Sequence, residues 1–448
     1  MPRNQAPRRI NSPLGSTGEC LPMLLSRNAV MIASNDSSDF PVVDPNWLSS
    51  PTGADNHCCG IQARPGISTT DVLQPIRAGP AIPDLTTVST DTEIQDWLIN
   101  VTLGTPPQSF FVFGDTGSVN LAFGSTLLPE DQQSSSPKYN PNASSTAQEV
   151  EGYTYRSCFV SGYCSEDVVF QDVFTVGDLV IDNEEFGVQT NNNKIGSGAR
   201  TGTLGLDFDH NGQTTKPNKT QSWLQNIMPR LESGVFTVDY NRNTSNRTYD
   251  FGYIDSSKYS GSIGYAPIVE NSTAWAVNIT GLELANGTMA ATQGWLTTID
   301  TGTVTAGFPT AVAADYFSQI QGAVYHVGAK RYEYPCSSPL VDFTFAIDSF
   351  RGIIPAVNLG AESIDNGTTC ITKLNVDASD DKSLWGEALI QEFFVIFDWD
   401  NARLGFAAKG TSASDPEPTS AGTVTTPRNS SGFYVFQVAV IYIMIMYC

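Results

Sequence analysis

Apolar residues fall in short runs bounded by clusters of Gly, Thr, Ser and Asn, the pattern of many short strands joined by turns. The pattern predicts a mainly β protein. Two runs stand out because the same word follows each. Phe110-Phe111-Val112-Phe113-Gly114 leads into Asp115-Thr116-Gly117-Ser118, and Trp295-Leu296-Thr297-Thr298-Ile299 leads into Asp300-Thr301-Gly302-Thr303. Each turn is answered later by an apolar segment carrying a glycine, Thr203-Leu204-Gly205-Leu206 in the first half and Leu384-Trp385-Gly386-Glu387 in the second. A glycine there lets another backbone approach closely, as a strand packed behind a turn requires. A single Asp-Thr-Gly-Ser is only a turn, because turns select those residues. Repetition in matched contexts is what implies two equivalent halves.

The chemistry follows from asking why two such turns would meet. Carboxylates brought to about 3 Å cannot both ionise, so the pair shares one proton; one member accepts a proton from water while the other hydrogen-bonds a substrate carbonyl. Asp115 and Asp300 are the catalytic candidates. Gly117 and Gly302 allow close backbone approach, the Thr116 and Thr301 hydroxyls are placed to tie the turns together, and Ser118 and Thr303 to donate to the outer carboxylate oxygens. This is acid–base catalysis without a cofactor or metal.

Composition narrows the alternatives. At 448 residues the chain exceeds one core of ordinary size and predicts two domains with flanking segments. A formal charge of −22, with no lysine before Lys138, repels polyanions and argues against a nucleic-acid partner. Only His57, His210 and His326 occur, with no H-E-x-x-H and no G-x-S-x-G, which disfavours metal and serine hydrolases. The eight cysteines lack zinc-knuckle spacing. About eleven N-x-[ST] sequons, among them Asn100, Asn142, Asn218, Asn243, Asn246, Asn271, Asn278, Asn286 and Asn366, favour a glycosylated extracellular protein.

The ends point in different directions. No signal peptide is evident, because the apolar stretch from Leu21 to Ile32 is broken by Pro22, Arg27 and Asn28. Thr411 to Ser431 is rich in Ser, Thr, Pro and Gly, and Phe433 to Cys448 is apolar except at Gln437. Sixteen residues are short for a membrane span, so the tail predicts a removable GPI-attachment signal, with Ser420, Ala421 and Gly422 as the attachment site and Thr423 to Ser431 as spacer.

From about Trp97 to Ala408 the chain resembles the pepsin-like aspartic proteases. The resemblance rests on Trp97-Leu98-Ile99-Asn100-Val101-Thr102-Leu103-Gly104-Thr105-Pro106-Pro107-Gln108, both Asp turns, Phe251-Gly252-Tyr253-Ile254-Asp255, Tyr334-Pro335-Cys336 with Cys370, and the closing Phe397-Asp398 to Ala407. It implies a mainly β, bilobal fold with the active-site cleft between two pseudo-symmetric lobes, one Asp from each, and an extended polypeptide substrate bound by a monomer. It also implies a Cys336–Cys370 disulfide and a flap whose tyrosine is Tyr155. The expected parts are an amino-terminal, prosegment-like region (1–91), an N-terminal lobe with the first turn and flap (92–245), a C-terminal lobe (246–410) and the linker with its GPI-like tail (411–448). Within it the chain resembles yapsin-like, GPI-anchored surface members.

Several positions depart from the family pattern. Tyr155-Arg156-Ser157-Cys158 replaces a glycine-rich flap, Ala122 stands where a Trp is common, Val304 follows the second turn, and Glu387 follows Gly386. The prosegment-like residues 36–95 hold only Arg64 and Arg77 as basic residues, so inhibition by a basic segment is not expected. Cys158 and Cys164, flanking the expected hairpin tip, are predicted to form a disulfide, since facing strands bring Cα atoms within bridging distance; Cys20, Cys58 and Cys59 are left without assigned partners. The altered flap keeps open an alternative, a pepsin-fold surface protein that binds peptides without cutting them.

Overall fold

The computed structural model describes residues 85–87, 97–133, 136–158, 164–192, 201–240, 248–291, 293–348, 350–376 and 382–410. The expectations concerning Cys20, His57, Cys58, Cys59, Asn243, Asn246, the hairpin tip with Gly162 and the tail from Thr411 lie outside these residues. The fold is the mainly β, bilobal pepsin-like one: strands dominate, with only short helices between them.

The first half is an eight-stranded sheet. Its spatial order is Leu85–Thr87, Trp97–Leu103, Gln108–Asp115, Gly202–Gly205, Leu121–Phe123, Leu179–Asn192, Cys164–Val176 and Gln148–Cys158, and Trp97–Leu103 also pairs with Cys164–Val176, curling the sheet back on itself. Cys164–Val176 alternates between buried and less buried residues along much of its length, the period of a strand with one face on a core. Phe110, Phe123, Tyr139, Phe174 and Phe186 fill that core with edge-to-face contacts.

Each Asp turn emerges from the same local topology. Gln108–Asp115 runs parallel to Gly202–Gly205 with Asp115 beside Gly205, and Gly202–Gly205 is antiparallel to Leu121–Phe123. In the second half Trp295–Ile299 runs parallel to Lys382–Trp385 with Ile299 beside Trp385, and Trp385 faces Ala306 of the Ala306–Phe308 strand. The chain therefore leaves a strand, turns at the Asp, and returns on the far side of a strand threaded between. Such threading demands close approach: a Cβ on Gly205 would strike the backbone of Val119 and Asn120, and one on Gly386 would strike the carbonyl of Thr303.

Second-half strands build a nine-stranded sheet and a four-stranded one. In the former, Arg331–Pro335 and Thr369–Ile371 are neighbours with Tyr334 opposite Cys370, and the Cys336–Cys370 disulfide closes a separation of 34 residues. A further five-stranded sheet runs Thr248–Phe251, Val235–Asp239, Phe393–Asp398, Arg403–Lys409, Tyr259–Pro267. It unites strands from either side of residue 245, with Val238 opposite Val395. Phe236 and Phe397 of this sheet form a buried aromatic cluster with Trp275. Among the described residues no helix is long and apolar enough to cross a membrane.

Candidate active site

The two Asp turns meet, and backbone geometry accounts for how. The N–H of Thr116 donates to Thr301 Oγ1 (3.0 Å), and the N–H of Thr301 donates to Thr116 Oγ1 (2.9 Å). Each hydroxyl then donates to the strand opposite: Thr116 to the Ile299 carbonyl (2.8 Å), Thr301 to the Gly114 carbonyl (2.6 Å). The four bonds form a symmetric cross-tie that uses both the donor and acceptor capacity of each threonine. Serine or threonine alone among small side chains has this double capacity, which explains the residue at the second position of both turns.

The carboxyls are held from below and from the side. Gly117 N–H donates to Asp115 Oδ1 (2.9 Å) and Ser118 Oγ to Asp115 Oδ2 (2.6 Å). Gly302 N–H and Thr303 Oγ1 repeat the pattern on Asp300, at 2.8 and 2.5 Å. A Cβ on Gly117 would lie 2.6 Å from Asp300 Cγ, and one on Gly302 2.5 Å from Asp115 Oδ1, so only glycine lets each carboxyl sit over the other turn. Both aspartates are fully buried. Burial, and next the adjacent Asp115 charge, push the Asp300 carboxyl well above its ordinary range, while its Thr303 and Gly302 donors oppose the rise. The pair therefore keeps a proton where isolated carboxylates would have lost theirs.

All eight residues anticipated at the dyad are brought together: Asp115, Thr116, Gly117, Ser118, Asp300, Thr301, Gly302 and Thr303. Tyr155, the expected flap tyrosine, lies on the Gln148–Cys158 strand. It pairs with Asp167 inside the sheet, its hydroxyl lies 3.5 Å from the Leu121 carbonyl, and it is 3% exposed, presenting almost no surface to a substrate in this conformation. The reason is space: Gly187 has no side chain, and the Tyr155 ring occupies the place a Cβ would take. The hairpin pairs Cys158 with Cys164, and Cys164 is disulfide-bonded.

Two supporting residues were not anticipated. Tyr249 donates its hydroxyl to the Gly114 carbonyl (2.9 Å), Trp275 Nε1 donates to the Leu206 carbonyl (2.7 Å), and the Trp275 carbonyl accepts from Ile299 N–H (3.0 Å). Together they brace both Asp-bearing strands against the five-stranded sheet. No residue spacing signals them, since each acts from a segment remote in sequence.

This constellation has known counterparts. Residues 96–409 match the family described as eukaryotic aspartyl protease. Podosporapepsin of Podospora anserina is 33% identical over 314 residues, covering 69% of this chain and 73% of that protein. Penicillopepsin-1 of Penicillium janthinellum is 30% identical over 303 residues (65% and 89%), and endothiapepsin of Cryphonectria parasitica 29% over 329 residues (72% and 78%). The chain belongs to the eukaryotic aspartyl protease family. It is a pepsin-like aspartic endopeptidase, a hydrolase of peptide bonds.

Proposed function

We propose that Asp115 and Asp300 are the catalytic pair and that they cleave a bound polypeptide with a water activated between them, in acid. The observation that carries the reading is the reciprocal Thr116–Thr301 cross-tie, which fixes one carboxyl from each half at a single point. With one proton on the pair, the ionised member takes a proton from water as its oxygen attacks the scissile carbonyl carbon, and the protonated member donates to the carbonyl oxygen. The resulting gem-diol collapses as a proton passes to the leaving amine. The raised position of Asp300 supports a shared proton that is kept above the ordinary carboxylate range.

The division into lobes at 92–245 and 246–410 belongs to the same reading, with one turn in each and the hairpin of Gln148–Cys158 and Cys164–Val176 as flap, closed at its neck by a Cys158–Cys164 disulfide. So does an extracellular, surface-bound location for a monomer anchored through Ser420 to Gly422. The sequon residues Asn100, Asn142, Asn218, Asn271, Asn278, Asn286 and Asn366 are all exposed, which supports glycosylation. The non-cutting alternative has little to favour it: a peptide binder has no use for a buried like-charge pair with every supporting donor in place.

Asp115→Asn and Asp300→Asn should each abolish cleavage of unfolded casein at pH 3 to 5 while leaving the circular dichroism spectrum unchanged. Substantial turnover by either folded variant overturns the assignment. For the anchor, peptides from Phe433 to Tyr447 recovered from the mature protein would exclude tail removal.

A further inference from the structure

The hairpin and the first Asp turn are joined by a circuit of hydrogen bonds that closes on Leu121, six residues beyond Asp115. On one side the Tyr155 hydroxyl lies 3.5 Å from the Leu121 carbonyl; on the other, Leu121 N–H donates to Gln213 Oε1 (3.0 Å). Gln213 opens a loop that closes on Thr220, whose carbonyl accepts the Gln213 N–H (2.7 Å). Thr215 braces this loop from within, its Oγ1 donating to the Asn218 carbonyl (2.7 Å) and accepting from Thr220 N–H (2.9 Å). Next to it, Lys216 pairs with Thr154 of the hairpin as a single antiparallel rung: Thr154 N–H donates to the Lys216 carbonyl (3.0 Å) and Lys216 N–H to the Thr154 carbonyl (2.7 Å). A reciprocal pair fastens the other end of the loop, with Asn120 Nδ2 donating to Thr214 Oγ1 and Thr214 N–H to Asn120 Oδ1, both at 3.0 Å.

We propose that Gln213 is a positioning residue for substrate binding, which through this loop holds the hairpin at Thr154 and Tyr155 at a set distance from the strand that leaves the Asp115 turn. The inference rests on the reading above of the dyad and of the hairpin as flap. Gln213 is fully buried and uses its whole amide: besides accepting from Leu121, its Nε2 donates to the carbonyls of Glu185 (2.7 Å) and Gln221 (2.9 Å). Three backbone segments therefore converge on one side chain, namely the strand after the first Asp turn, the Leu179–Asn192 strand that pairs with the hairpin, and the exit of the loop itself. A buried polar group satisfied on every side rigidifies its surroundings. The contact between loop and hairpin is backbone to backbone, so its place is set by where Gln213 roots the loop and not by the side chains at 154 and 216. A hairpin held in advance spares the substrate the cost of ordering it, which is gained as affinity.

The test compares KM and kcat for a chromogenic peptide, near pH 4, in the full protein and in Gln213→Met and Thr215→Val. Gln213→Met keeps the length of the side chain and loses all three of its bonds; KM should rise about tenfold with kcat within about twofold of the parent, the signature of lost uniform binding. Thr215→Val loosens the loop beside its rung with the hairpin and leaves the Leu121 contact in place, so KM should rise about threefold. Amide hydrogen exchange should quicken at Thr154 and Lys216 in both variants while the Gln108–Asp115 strand stays protected. A role confined to stability would instead lower the unfolding midpoint and kcat and leave KM alone. Unchanged KM in the two variants overturns the proposal, and if Gln213→Met does not fold, an unchanged KM for Thr215→Val overturns it by itself. Faster exchange without a rise in KM overturns the role in binding, whereas the dyad stands or falls separately on Asp115→Asn, which should lose kcat where Gln213→Met keeps it.

Discussion

Glu184 offers the sharpest quantitative test of what this fold has buried. It is fully buried on the Leu179–Asn192 strand, opposite Asp172, and its Oε2 accepts from Asn226 Nδ2 at 2.9 Å. Burial pushes its carboxyl from an ordinary 4.5 up to about 8, partly opposed by the Asn226 hydrogen bond. The folded protein therefore binds more protons than the unfolded chain between those values, so stability is fully present below about pH 4.5 and is lost as pH rises through about 8. At 1.36 kcal/mol per pH unit, the whole window corresponds to about 5 kcal/mol, a large share of the roughly 5–15 kcal/mol that stabilises a typical domain. Asp167, pushed up to about 7, and Glu185, Asp207 and Asp300, all raised first by burial, add in the same direction. Glu184→Gln keeps an acceptor for Asn226 and removes the titration. Denaturant midpoints should be measured at pH 4, 6 and 8 in an Asp115→Asn background, which prevents self-digestion. The variant should match its parent within about 1 kcal/mol at pH 4, where the exchange replaces one neutral hydrogen-bonding group by another, and exceed it by several kcal/mol at pH 8. Parallel stability curves for the two proteins would refute the reasoning.

Other expectations are more local. Thr301→Val leaves the Thr116 N–H without its acceptor and takes from the Gly114 carbonyl one of its two donors, Tyr249 remaining, so unfolding free energy should fall by roughly 1–3 kcal/mol and kcat by at least about tenfold, read by denaturation and a peptide assay. Gly386→Ala drives a methyl into the Thr303 carbonyl and should lower kcat sharply with little change in the far-ultraviolet spectrum. Cys336→Ser with Cys370→Ser opens a 34-residue separation and should cost roughly 4 kcal/mol in the chain-entropy model, visible as a lower melting temperature with cleavage rates preserved below it.

The parts legible in the sequence were those written twice. The paired Asp turns and their later glycine strands declare a repeated unit, and the chemistry of like carboxylates makes a dyad the economical explanation. The cross-tie was legible too, because a threonine in the same place of both turns has a hydroxyl free to reach across. The depth at which Tyr155 sits was not legible: no local pattern shows that Gly187, more than thirty positions away, leaves a slot for its ring. Likewise Glu184, Asp167 and Asp207 look in sequence like any carboxylates of an acidic chain. Their burial arises from register, such as Asp172 facing Glu184, which depends on pairing partners that no local pattern specifies.

The five-stranded sheet also sets a timetable. Phe393–Asp398 lies between Val235–Asp239 and Arg403–Lys409, so the centre of the sheet is supplied by strands made long after their neighbours. A ribosome delivers both Asp turns before it delivers this centre. Until residues 393–409 emerge, Val235–Asp239 has an unpaired edge, and Phe236 lacks Phe397, on which it stacks. The brace that Tyr249 and Trp275 give to the two Asp strands starts from that same platform. Pairings so distant along the chain form slowly and late. The platform behind both Asp strands is thus complete only when almost the entire folded region has been translated.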